Sequence, residues 1–109
     1  MSQKTDLLRG TLDLLILRTL DSVPLHGIAI ADRIRLATRG TFDVQAGSLF
    51  PALHRLEQDG SIAGDWTTSG AGRRVRTYAL TAAGRRQLTT EKRQWDRVVL
   101  AMTQVLEGH

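Results

Sequence analysis

The sequence predicts a mainly α-helical fold with a small β-hairpin. Apolar residues recur at helical spacing in three segments before residue 60, and two short strand-like runs flank a glycine-rich stretch near residue 70. A final segment keeps helical apolar spacing almost to the C-terminus. We therefore expect a domain over residues 1–80, followed by a C-terminal helix within residues 81–109.

Composition fits one folded domain. The chain has 109 residues, of which 41% are hydrophobic and 24% charged, unlike the composition of a disordered chain. It has no cysteine, which excludes disulfides, thiolate metal sites and cysteine nucleophiles. The polar N-terminus lacks the apolar stretch of a signal peptide, and no run approaches the ~20 apolar residues of a membrane span. These features predict a cytoplasmic protein without a membrane partner.

The first two helices are predicted from their apolar faces. The first covers Leu8 to Asp21, and the second covers His26 to Thr38 with Gly40 as its C-terminal stop. Their buried faces consist of residues spaced three or four apart: Leu8, Leu12, Leu15, Ile16 and Leu20 in the first, and Ile30, Ile34 and Ala37 in the second.

The third predicted helix, Ala46 to Gln58, has a distinctive outward face. Its apolar side chains follow the i, i+4, i+7 rule, and Asp59-Gly60 ends the helix with turn chemistry. The opposite face has small residues at its N-terminal end and hydrogen-bonding residues further along: Gly47, Ser48, Pro51, His54, Arg55 and Gln58. We expect Pro51 to shape the start of the helix, because a proline in mid-helix costs about 3 kcal/mol.

Two strands, Ile62–Thr67 and Arg74–Leu80, are predicted to form a hairpin around the flexible tip Ser69–Gly72. Alternation along each strand places four large apolar residues towards the helices. Trp66 is accordingly predicted to be a core residue; the four are Ile62, Trp66, Tyr78 and Leu80.

Positive charge is concentrated around this hairpin. The formal net charge is +4, yet residues 1–60 and residues 87–109 are each neutral overall. Five arginines between residues 61 and 86 face a single aspartate, and they account for the whole excess: Arg73, Arg74, Arg76, Arg85 and Arg86. Such a local basic patch is typical of proteins that bind phosphates, although a solvated surface strand is also compatible with it.

The last helix is predicted to begin after the N-cap Thr81 and to reach about Leu106. At 1.5 Å per residue it would be about 37 Å long, more than a small domain can cover. We therefore expect its distal half to pack on a second copy of the chain, giving a homodimer. The predicted interface follows a near-heptad spacing: Leu88, Trp95, Val99, Met102 and Leu106.

Three helices followed by a basic hairpin form the element order of a winged helix-turn-helix. Double-stranded DNA is the partner that this order implies, because the major groove admits one helix with a polar outward face. Arginines beside a glycine-rich tip can neutralise phosphates. Arg76 is either a third such arginine or lies along the hairpin and pairs with an acid. The expected contacts come from Ser48, Pro51, His54 and Arg55 in the third helix, and from Arg73, Arg74 and Arg76 in the wing.

The sequence also resembles the PadR family of transcriptional regulators over about residues 7 to 100. The resemblance implies a homodimeric, usually repressing, DNA-binding protein that dimerises through a single C-terminal helix. It is carried by GSLFPALHRLE at 47–57, LRGTL at 8–12, His26-Gly27, Arg73-Arg74, and YALT at 78–81 with Gly84.

The chain departs from the family pattern at Phe50 and Ile28, where tyrosine is common. Without a hydroxyl, Phe50 loses a possible phosphate contact. In some relatives a tryptophan near Trp95 faces a pore at the dimer interface, which implies a small aromatic effector as a possible further partner.

Two other classes of function remain to be weighed. A winged helix used as a protein-interaction module is the main alternative, although it would not require the net charge to lie in the wing. Enzymatic activity is not expected: His26, His54 and His109 lack metal-ligand spacing, and the sequence has neither a catalytic triad pattern nor a phosphate-binding glycine loop. No cofactor is predicted.

Overall fold

The computed structural model describes the backbone of residues 2–108 and the side chains of residues 10–108. Its three strands form one antiparallel sheet in the order β1-β3-β2. The elements in chain order are α1 (Ser2–Ser22), β1 (Leu25–His26), α2 (Gly27–Ala37), α3 (Ala46–Gln58), β2 (Ile62–Thr68), β3 (Arg74–Leu80) and α4 (Ala82–Leu106).

This architecture confirms the predicted winged helix-turn-helix with a long C-terminal helix. The bounds of α3 and β3 agree with the prediction, and Thr81 caps α4 by accepting a hydrogen bond from the Gly84 N–H at 3.0 Å. Three features differ. The first helix begins at Ser2 rather than at Leu8, whose side chain lies outside the described part, and β1 was not predicted. Ala37, predicted to lie on the buried face of the second helix, is exposed at the end of α2.

The core lies between α1, α2, α3 and the base of the sheet. Ile16, Leu17, Ile30 and Leu53 are fully buried, and Ile62 at the start of β2 closes the core from the sheet side. Burial of such side chains stabilises the fold by about 25 cal/mol for each Å² of apolar surface removed from water. The outward face of α3 is thus held in place by the burial of its inward face.

The packing of α2 on α3 depends on the dipeptide His26-Gly27. The Nδ1 atom of His26 accepts a hydrogen bond from the Ala29 N–H at 3.2 Å and so caps α2. A Cβ atom on Gly27 would come within 2.8 Å of Cε1 of Phe50. Phe50 therefore packs its ring against the first residue of α2, which fixes the position of α3 relative to α2.

The prediction that Trp66 belongs to the core is wrong. Its side chain is 57% exposed, although Ile62 on the same strand face is 1% exposed. The hairpin extends beyond the helices, so only the base of that face is covered. Tyr78 at the base is buried, and Leu80 packs against the core as expected.

The structure also places Leu88 differently from the prediction. Leu88 is 8% exposed and belongs to the core of its own chain, so it is not available to a partner subunit. Further along α4, the same helix face is exposed from Trp95 onwards. Within the part of the chain that the structure describes, no helix is both long and apolar enough to cross a membrane.

Candidate nucleic-acid interface

The outward face of α3 is polar and open. Ser48, Pro51, His54 and Gln58 are exposed, whereas Leu49 on the inward side is 2% exposed. Pro51 is the sixth residue of α3, so it lies inside the helix and the expectation that it shapes the helix start is wrong. Because it has no N–H, the carbonyl of Gly47 loses its usual i+4 donor. The N-terminal end of this face therefore presents the small residues Gly47 and Ser48 and a carbonyl that lacks its helical donor.

Arg55 lies on one flank of this face, where it is engaged by another helix. Its guanidinium donates a hydrogen bond to the Asp13 carboxylate of α1 at 2.5 Å, and the two side chains are 33% and 16% exposed. This ion pair joins α3 to α1 across 42 positions of sequence. Arg55, predicted from the sequence as a DNA contact, thus has an intramolecular partner in the free protein.

Arg55→Ala is expected to lower the free energy of unfolding by about 1 to 2 kcal/mol, because hydrogen bonds to charged groups contribute in this range when partly solvated. Urea denaturation of the purified variant measures the change. Arg33→Ala serves as a control, because Arg33 is exposed on α2. Equal stability of the two variants would remove the structural role of the Arg55–Asp13 pair.

The tip of the wing is an ordered turn. The Ser69 N–H donates to the Arg73 carbonyl at 2.7 Å, and the Gly72 N–H donates to the Ser69 carbonyl at 2.9 Å. Arg73 and Arg74 follow this turn with exposed side chains, and neither pairs with an acid among the described side chains. Both predicted phosphate ligands are thus solvent-accessible at the end of the hairpin.

Arg76 has a different environment. Its guanidinium forms an ion pair with Glu57 at the end of α3, and its Cζ lies 5.8 Å from the centre of the Trp66 ring. The hydrogen bond with Glu57 raises the pKa of Arg76 above its usual value. Of the two alternatives raised by the sequence, the structure has Arg76 paired with an acid.

A groove of about 490 Å³ separates α3 from the wing. Side chains of α3, several of them able to form hydrogen bonds, line one wall of the groove, and side chains of β3 line the other wall. Its lining combines predicted and unpredicted residues: Phe50, His54, Glu57, Gln58, Arg76 and Tyr78. Two of the predicted α3 and wing residues, His54 and Arg76, therefore line one concave surface.

Sequence reasoning missed the acidic partners Asp13 and Glu57, since each lies far along the chain from its arginine. It also missed Gly64, where a Cβ atom would come within 2.6 Å of Nε of Arg76. A glycine inside a strand does signal close approach of another group, so this position had a usable signal.

The exposed face of α4 holds four of the five predicted interface residues. Trp95, Val99, Met102 and Leu106 are between 41% and 76% exposed, and Val98 adds to the same face. Leu88 continues this face towards the N-terminus of the helix but is buried in the core. An apolar stripe thus runs from the core onto the uncovered half of the helix.

Comparison with known proteins places the chain in a family. The profile of the "Transcriptional regulator PadR-like family" matches residues 16–90, which include α2, α3 and both wing strands. The chain belongs to the PadR-like family. The family and its fold are those of DNA-binding transcriptional regulators rather than enzymes.

Relatives of known structure support this PadR-like assignment. A PadR family transcriptional regulator from Eggerthella lenta is 31% identical, covers 99% of this chain and 92% of its own, and superposes with a TM-score of 0.79. A transcriptional regulator from Clostridium thermocellum has a TM-score of 0.82 over 91% of this chain and 93% of its own; at 24% identity, it supports the fold alone.

A curated relative matches over a shorter range. The transcriptional regulator Rv3488 of Mycobacterium tuberculosis is 37% identical over 68 residues, which are 62% of this chain and 60% of that protein. The match to this relative thus covers somewhat less than two thirds of each protein.

Proposed function

We propose that this PadR-like protein is a cytoplasmic homodimeric repressor that binds a specific site in double-stranded DNA. The observation that carries the proposal is the position of two exposed arginines, Arg73 and Arg74, on a wing beside the open polar face of α3. Phosphate-binding and base-reading groups are thereby available on adjacent elements of one domain.

In this proposal α3 enters the major groove. His54 and Gln58 offer hydrogen-bonding groups to base edges, and the small residues at Gly47 and Ser48 allow the helix start to approach the sugar-phosphate backbone closely. Arg55 would reach a base only by exchanging its Asp13 partner for DNA. We therefore give His54 and Gln58 the larger share of base recognition.

The wing contributes affinity rather than sequence preference. Arg73 and Arg74 extend from the hairpin end and would neutralise phosphates next to the groove that α3 occupies. Contacts of this kind release counterions from DNA, so binding should weaken steeply as salt rises, with a log–log slope of about −0.9 for each phosphate contacted.

The dimer is proposed from the exposed stripe on α4. Its exposed residues continue the face through which Leu88 packs on the core, so a second α4 can extend an existing apolar contact. A twofold dimer would place two copies of α3 on successive major grooves, about 34–36 Å apart. Two half-sites then bind together, which raises the affinity well above that of one domain.

A planar aromatic effector at the dimer interface is a second proposal. Trp95 lines a groove of about 380 Å³ between α1 and α4, together with Leu14 and Val98. An aromatic ring could stack on Trp95 once a partner subunit encloses this groove. Quenching of Trp95 emission by planar aromatic compounds, in a Trp66→Phe background, tests this; unchanged emission across a set of such compounds would argue against it.

Salt-dependent binding to duplex DNA tests the main proposal. Fluorescence anisotropy with a labelled random duplex is expected to give steeply falling affinity with salt. The competing interpretation, a winged helix that binds another protein, predicts weak binding to duplex that is insensitive to salt.

A further inference from the structure

We propose that Glu57, Gly64 and Trp66 are positioning residues that hold the Arg76 side chain between α3 and the wing. These four residues together are called the bracket. The bracket holds α3 and the wing in one relative orientation before DNA binds. The inference rests on the proposed DNA-binding function, and it assigns Arg76 to the geometry of the site rather than to phosphate contact.

The first element of the bracket is the ion pair between Arg76 and Glu57. Glu57 lies in the last turn of α3, and Arg76 lies in the middle of β3, so the pair spans the groove between helix and wing. The two side chains are 35% and 29% exposed, so solvent screens the pair only in part. No other ion pair among the described side chains joins α3 to the hairpin.

The second element is the space above Gly64. Gly64 faces Tyr78 across the β2–β3 ladder, two pairs away from the Trp66–Arg76 pair and on the same face of the sheet. The three atoms nearest to a Cβ at this position all belong to Arg76, at 2.6 to 3.1 Å. A methyl group at residue 64 would require the Arg76 guanidinium to shift from this position, so this glycine provides the space in which Arg76 lies.

The third element is the exposed ring of Trp66. Trp66 and Arg76 are directly paired in the ladder, and the guanidinium carbons of Arg76 and Arg74 lie 5.8 and 5.2 Å from the ring centre. Cations at this distance from an indole ring are attracted by its quadrupole. This contact accounts for a large aromatic residue on the uncovered half of the strand, where it packs on no helix.

The charges distinguish Arg76 from its neighbours. The carboxylate of Glu57 neutralises Arg76, whereas Arg73 and Arg74 have no acidic partner among the side chains that the structure describes. A phosphate would have to displace Glu57 to reach Arg76. The bracket therefore predicts that Arg76 contributes to operator affinity without contributing to counterion release.

The test compares salt slopes of duplex binding for four proteins: wild type, Glu57→Ala, Gly64→Ala and Arg73→Ala. The first two variants disrupt the bracket and are expected to weaken binding to the preferred duplex about five- to tenfold, because preorganisation is lost, with an unchanged slope. Arg73→Ala is expected to make the slope shallower by about 0.9.

Glu57→Ala distinguishes a positioning role of Arg76 from a role as a phosphate ligand, because the substitution also removes a negative charge near DNA. If Glu57 only masked a phosphate ligand, the variant would bind every duplex more tightly and with a steeper slope. That result, or a Gly64→Ala variant that binds as well as wild type, would overturn the bracket.

A measurement without DNA keeps this inference separate from the proposed function. In a Trp95→Phe background, Trp66 is the remaining tryptophan. Acrylamide is expected to quench Trp66 more strongly after Gly64→Ala or Glu57→Ala, because Arg76 leaves the ring. Unchanged quenching in both variants would contradict the bracket, whereas failure of the wild type to bind any duplex would contradict the proposed function alone.

Discussion

Trp95→Asp is expected to convert the protein from a dimer into a monomer and to lower its affinity for an operator by about 100-fold or more, since two linked half-sites gain 10²–10⁴ in avidity. Trp95 is the largest side chain of the exposed stripe on α4 and lies at its N-terminal end, next to Val98 and Val99. A carboxylate there would have to be buried unpaired in the proposed interface, which is strongly unfavourable. Light scattering coupled to size exclusion measures the mass directly.

Leu100→Asp is the matched control for this experiment. Leu100 is also an exposed apolar residue of α4, at 59% exposure, but it lies about 140° around the helix from Trp95. The control variant is expected to remain dimeric and to bind DNA like the wild type. A dimeric Trp95→Asp variant would place the interface elsewhere on the molecule.

Replacing both Arg73 and Arg74 by alanine is expected to weaken binding to every duplex and to reduce the salt slope by about 1.8, twice the value for one phosphate contact. Both side chains extend from the ordered turn at the end of the wing. Because phosphate contacts carry no sequence information, the ratio of operator to random-duplex affinity should stay nearly constant. Anisotropy titrations at several salt concentrations give both quantities.

A charge-matched control distinguishes contact from a general loss of positive charge. Arg93 and Arg97 are exposed on α4, away from the wing and off the apolar stripe. Their double replacement by alanine removes the same net charge and should leave the slope unchanged. If both double variants lowered the slope equally, the wing would have no special part in DNA binding.

The elements that sequence reasoning predicted well are those with local signals. The bounds of α3 follow from its apolar spacing and from Asp59-Gly60, and the start of α4 follows from the capping chemistry of Thr81. The strand β1 has only two residues, too few for an alternating pattern to be visible. Its existence depends on pairing with β3 across about fifty positions of sequence.

The errors share a physical cause, since periodicity identifies a face but not how far that face is covered. The alternation assigns Trp66 to the correct face of β2, yet the helices cover only the base of the hairpin. The heptad spacing assigns Leu88 to the correct face of α4, but at Leu88 the core of the same chain covers this face. Ion pairs formed by Arg55 and Arg76 depend on the tertiary approach of distant carboxylates, which a local pattern cannot reveal.

Selection of bound sequences from random duplex DNA tests the central claim most directly. A dimer with two copies of α3 predicts enrichment of an inverted repeat whose half-sites are centred about 10–10.5 base pairs apart, or a multiple of that spacing. His54→Ala, repeated in the same selection, should relax the preference at one position in each half-site. Recovery of sequences without any repeat or preference would contradict recognition of a specific DNA site by this protein.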